Sequence, residues 1–288
     1  MQSNNPVFRR ADGFNGRETN AYGNPTYPGN GAGHDAYGQG QSPVGYDTYA
    51  PAQAAGPRMT VDSVVQKTGI SLAVVIVTAA ITWIVTGDLD GASAGSLYLA
   101  LMVGSFGAFA LSMVNSFKRV VSPGLVLAFC ALEGVALGAF SKFLDATVVQ
   151  SQGITDNIVV QAVAGTFAAF AGTLTAYKVL DIKVGQKFRT FVVAAMFGMV
   201  ALGLLEMVLG FFGNQIGFFG FGGLGLLFAV AGLVLGVFML ILDFDFVEQG
   251  IAAGLDERES WRAAFAMTVS LVWIYTNLLR ILAIFNQD

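Results

Sequence analysis

The chain has 288 residues, a mean hydropathy of +0.64, and only 12% charged residues. Soluble domains carry roughly 25%, so a single water-soluble core is excluded and a polytopic membrane protein is indicated. A net charge of −4 leaves no basic surface for nucleic acid. With one cysteine (Cys130) and one histidine (His34), an internal disulfide, a His-based zinc site and a Ser-His-Asp triad are all disfavoured.

Residues 1–57 form a separate polar domain, holding six of the seven prolines and five of the eight tyrosines. Without an apolar period they cannot bury enough surface to offset ordering entropy, so a disordered tail is expected. They contain no apolar core of the 7–15 residues found in a signal peptide. Tyrosines and the opening Asn5-Pro6-Val7-Phe8-Arg9-Arg10 are candidate docking elements for a partner. Met59 to Thr68 reads as a short amphipathic lead-in.

From there to residue 288 the pattern is all-α, in seven membrane spans. A span needs about 20 apolar residues to cross the hydrocarbon core. The stretches fall at 69–86, 95–114, 122–144, 157–177, 190–212, 222–244 and 262–285. Lys and Arg gather in the tail (Arg9, Arg10, Arg17, Arg58, Lys67) and in three loops: 2–3 (Lys118, Arg119), 4–5 (Lys178, Lys183, Lys187, Arg189) and 6–7 (Arg258, Arg262). On the opposite side the 1–2 loop has Asp88 and Asp90, the only Lys or Arg at the 3–4 loop is Lys142, and the 5–6 loop has no charge. That asymmetry predicts a cytoplasmic N-terminus in the cell inner (plasma) membrane. Arg280, near the end of the last span, either snorkels to the outer surface or marks a re-entrant segment. Gly134 and Gly138 allow close helix approach, with bundle packing favoured over an oligomer face.

Four acids interrupt this pattern: Glu133 in the third span, Glu206 in the fifth, and Asp243 and Asp245 at the end of the sixth. A charged carboxylate in hydrocarbon costs a few kcal/mol or more, so such residues are functional candidates. Glu133 must face the bundle, carry a proton, or pair with a cation or donor. Glu206 suits an interfacial or packing role. Asp243 and Asp245 point about 200° apart on a helix, at 100° per residue. Asp243 is expected to face the bundle, and Asp245, with Glu248 and Gln249, the cytoplasmic mouth. Acids at a helix C-terminus oppose the macrodipole, which suggests another use for the charge. Carboxylate oxygens suit Ca²⁺ or H⁺, with Asp243 and Glu133 the Ca²⁺ candidates. No cofactor is implied. No nucleophile–base pair points to an enzyme, and no inverted repeat points to a transporter.

Several short pieces in order resemble the Bax inhibitor-1/YccA family, in a bacterial branch with long polar tails. They are Val114-Asn115-Ser116-Phe117-Lys118 with Ser122-Pro123, Leu132-Glu133-Gly134, Lys187-Phe188-Arg189, Leu242-Asp243-Phe244-Asp245-Phe246-Val247-Glu248, Leu271-Val272-Trp273-Ile274-Tyr275, and Leu278-Leu279-Arg280-Ile281-Leu282. The resemblance covers about residues 60–286 and implies six helices around a central seventh. It also implies a pH-sensitive calcium leak, in which an aspartate on the sixth helix and one on the seventh share a proton. Asp243 matches the first of these. The second falls on Ser270, with Asn277 two turns later on the same face, and neither ionises. A two-carboxylate latch is therefore not carried over. Asp243 is left to bond Ser270 or to pair with Glu133 or Arg280. The alternative function is a non-conducting regulator that binds other membrane proteins, such as a quality-control protease.

Overall fold

The computed structural model describes residues 56–87, 93–152 and 157–286. The predicted disordered tail, apart from its last two residues, lies outside the described residues, as do Asp88, Asp90 and the middle of the 3–4 loop. Seven helices are present among the described residues: α1 (Val61–Val85), α2 (Ser93–Phe117), α3 (Pro123–Gln152), α4 (Ile158–Val179), α5 (Gln186–Phe211), α6 (Gly223–Ala252) and α7 (Glu259–Phe285). All seven are long and apolar enough to span a membrane.

Two boundaries differ from the sequence reading for physical reasons. The lead-in is not separate from the first span. Thr60 caps α1 by accepting from the Ser63 amide, Ser63 Oγ accepts from the Thr60 amide in return, and the helix runs from Val61. The sixth span does not end near residue 244 but continues two turns to Ala252. Its polar residues find partners on neighbouring helices, so nothing forces the helix to stop where the apolar run ends. Asp243 and Asp245 therefore lie inside α6, about 14 and 10 Å from its end at 1.5 Å per residue. The macrodipole argument, which needed them in the last turn, does not apply.

The seventh helix forms the centre. Within its most apolar 18-residue window α7 is 56% buried, against 17% for α2 and for α5. It touches α1, α3, α4 and α6, while α2 packs on α3 and α5 on α6. Small residues permit the closest approaches. At Gly134 and Gly138 an added Cβ would overlap the backbones of Val75 and Ala79 on α1. The pair therefore serves bundle packing. Gly232 and Gly236 of α6 do the same against Asn277 and Ile274 of α7, which sets the rotation of those two helices.

The start of α1 and the 2–3, 4–5 and 6–7 loops share one end of the bundle. Met59 N donates to Leu255 O and Glu257 N to Pro57 O, both at 2.8 Å. Lys67 pairs with Glu257 at 2.9 Å, and Arg262 donates to Arg119 O at 2.8 Å. This basic end carries every Lys and Arg of the described residues except Lys142 and Arg280. Lys142 is taken up by the C-terminus of α1, donating to Trp83 O, Thr86 Oγ1 and Gly87 O.

Candidate functional site

The polar residues predicted from sequence separate into three groups. The first joins α6 to α7 in the half of the bundle nearer the basic end. Ser270 Oγ donates to Asp243 Oδ2 at 2.6 Å, and Ser270 is 1% exposed. The residue standing where a second aspartate was expected is thus in contact with Asp243. No salt bridge or hydrogen bond joins Asp243 to Glu133 or Arg280 among the described residues, which removes those two options.

Asp245 departs from its expected place. It is buried rather than open to the mouth, and it faces α5. Arg189, in the first turn of α5, donates to Asp245 Oδ2 at 2.8 Å, as does Gln249 Nε2. Two residues of helical rotation separate Asp243 and Asp245, so one acid ties α6 to α7 and the other ties it to α5. Glu248 completes the set by accepting from Tyr177 Oη of α4 at 2.7 Å. Arg189 and Tyr177 were missed as site residues. Arg189 read only as a loop cation, although it lies in one of the pieces that carry the resemblance.

The second group lines a cavity of about 480 Å³ farther along α7, toward its C-terminal end. Glu133 reaches it from the middle of α3, with Ser105 of α2 and Thr276, Asn277 and Arg280 of α7. Glu133 makes no hydrogen bond or ion pair among the described residues. Asn277 Nδ2 is turned back on its own helix, donating to Trp273 O at 2.8 Å.

The third group fixes the 5–6 loop over that cavity. Glu206, 5% exposed, accepts from the amides of Ile216 and Gly217 at 3.0 and 2.8 Å. It clamps the loop to α5. Gly213 and Gly217 have φ of +75° and +100°, a region that an L side chain rarely adopts, so the loop requires glycine there. Arg280 donates to Phe218 O at 2.6 Å, and its guanidinium lies 5.2 Å from the Phe219 ring centre. It neither pairs with Asp243 nor marks a re-entrant segment, because α7 runs unbroken to Phe285.

Ca²⁺ takes six to eight oxygen ligands. The described residues contain no group of three or more His, Cys, Asp or Glu able to hold a metal. Asp243 and Glu133, the Ca²⁺ candidates, are not brought into one group.

The order of these pieces along seven spans agrees with one comparison. A family model described as Bax inhibitor 1 like matches residues 5–287. The chain belongs to the Bax inhibitor-1-like family. The match begins well before residue 60, where the sequence resemblance started, and takes in the opening Asn5-Pro6-Val7-Phe8-Arg9-Arg10. A search of curated proteins found no match. Within this Bax inhibitor-1-like chain, the α6–α7 contact carries one carboxylate and one hydroxyl.

Proposed function

We propose that this protein is a pH-sensitive cation leak of the cell membrane, calcium being the first candidate ion, with its N-terminus in the cytoplasm. The orientation follows from the basic end of the bundle, which the positive-inside rule assigns to the cytoplasm. The observation that carries the functional reading is the Asp243–Ser270 hydrogen bond across the α6–α7 contact. A half-buried carboxyl joined to a buried hydroxyl is a single-acid latch. The hydroxyl donates to the ionised form, while a protonated carboxyl must turn its own hydrogen toward an acceptor. Proton uptake therefore removes the charge from this bond and adds a donor to it, which changes the strength of the contact that holds the two helices together. From the opposite end, the cavity carries a second carboxylate, Glu133, to the middle of the bundle. Between them lie Trp273 and Ile274, packed against Gly236, which we take to be the barrier of a closed state.

The test is Ca²⁺ flux into liposomes containing the purified protein, measured between about pH 5 and pH 8. Wild type and Asp243→Asn are measured together. A pH-dependent flux that Asp243→Asn alters supports the latch, and no flux above empty vesicles in that range refutes the channel.

One observation favours a second, non-enzymatic reading, a regulator that binds other membrane proteins such as a quality-control protease. The segment Gly56–Thr60 is strapped by backbone hydrogen bonds to the 6–7 loop, and Met59 is 2% exposed beside Gly250. A partner holding the preceding residues would be coupled to the helices that carry Asp243 and Ser270. Removing residues 1–55 should then abolish co-purification of partners, whereas the leak reading expects flux to survive.

A further inference from the structure

Glu133 sets a requirement that the bundle does not meet. Its carboxylate opens onto the cavity from the middle of α3 and has no hydrogen-bonding or ionic partner among the described residues. In hydrocarbon such a group needs a proton or a positive partner. Arg280 lines the same cavity, but it forms no salt bridge with Glu133, and its guanidinium is engaged by Phe218 O and the Phe219 ring.

The rest of the wall decides what kind of cation fits. Phe140 of α3, Phe219 of the 5–6 loop, Phe228 of α6 and Trp273 of α7 present aromatic surface to the cavity. A dehydrated divalent ion would need about six oxygens or more. The cavity offers one carboxylate with a few hydroxyl and amide groups. A lipid tail would cover the rings but leave the carboxylate unmatched. An organic ammonium answers both demands, because its charge neutralises the carboxylate while its alkyl groups lie against ring faces. The volume of about 480 Å³ falls within the ~300–1,000 Å³ range of small-molecule pockets.

We infer that this cavity binds a small organic ammonium cation, with Glu133 as its counter-ion, Phe140, Phe219, Phe228 and Trp273 as its walls, and the 5–6 loop as its lid. Glu206 and Arg280 hold that lid near its middle, through the amides of Ile216 and Gly217 and the carbonyl of Phe218. The site needs no conduction, so the inference stands apart from the leak reading.

The test uses the full chain in lipid nanodiscs and radiolabelled tetraethylammonium as the probe. Wild type should show saturable binding. Glu133→Gln should weaken it by about tenfold or more, the loss of a buried charge partner worth at least ~1.4 kcal/mol. Phe219→Leu should weaken it about 3- to 10-fold, within the range of a cation–π contact. Lys183→Ala, an exposed residue of the 4–5 loop outside the cavity, should leave binding unchanged. Absence of saturable binding to wild type overturns the inference, as does equal affinity for Glu133→Gln. If Glu133→Gln does not yield a monodisperse protein, Phe219→Leu decides, and undiminished binding to it overturns the assignment. Binding without flux refutes only the channel, and flux without binding refutes only this site.

Discussion

Replacing Ser270 by Ala removes one hydroxyl from a position that is 1% exposed and leaves the backbone of α7 intact. The Asp243 carboxyl then loses its only hydrogen-bonding partner among the described residues, a contact of 2.6 Å. Leaving a buried polar group unmatched costs about 1–3 kcal/mol. If the open state exposes Asp243 to water, the cost falls on the closed state alone. The closed-to-open ratio then drops about 5- to 150-fold, at 1.4 kcal/mol per factor of ten. Ca²⁺ flux in proteoliposomes near neutral pH should rise by up to that factor. Asp243→Asn should have a smaller effect, because an amide oxygen still accepts from Ser270. The two changes touch the same hydrogen bond, so their double variant should fall short of the sum of the single effects. Unchanged flux for Ser270→Ala, or strictly additive effects, would refute the latch. A drop in thermal stability alone, without a change in flux, would assign the bond to the fold.

Three further outcomes follow from the same contacts. Arg189→Ala should destabilise the bundle by about 1–3 kcal/mol in denaturant titrations, because Asp245 is left buried with Gln249 as its one partner among the described residues. The usual loss for a broken buried pair, about 3–5 kcal/mol, is discounted because the Arg189 side chain is 45% exposed. Glu206→Ala should release the 5–6 loop, losing two charge-assisted bonds worth about 1.5–3 kcal/mol each at most. Limited proteolysis at residues 213–222 should accelerate in that variant, and wild-type cleavage rates would count against the clamp. Gly134→Leu should cost about 3 kcal/mol or more, because even a Cβ there overlaps Thr78 and the backbone of Val75. Normal yield and melting temperature for that variant would contradict the α1–α3 packing.

The seven spans, the charge asymmetry of the loops and the family were legible along the chain, because each is a property of one segment. Apolar length marks a span, and Lys and Arg counts mark a side. The rotation between Asp243 and Asp245 was legible as well, since helical geometry alone turns them about 200° apart. What each acid meets was legible only in part: Ser270 stood among three options for Asp243, while the partners of Asp245 and Glu206 were not foreseen. Asp243 and Ser270 are 27 positions apart, Arg189 and Asp245 are 56 apart, and Glu206 caps amides ten and eleven positions away in a loop. Such pairings depend on the axial register and rotation of one helix against another. Here Gly232 and Gly236 set those against Asn277 and Ile274, and no single-segment pattern encodes that. The end of α6 was misplaced for the same reason. An apolar count stops at the first acid, while the helix continues because Ser270, Arg189 and Tyr177 satisfy its polar side chains from other segments. The cavity at Glu133 is the clearest case. A void is what packing leaves over, so only the tertiary structure determines that this carboxylate faces a chamber lined by aromatic rings.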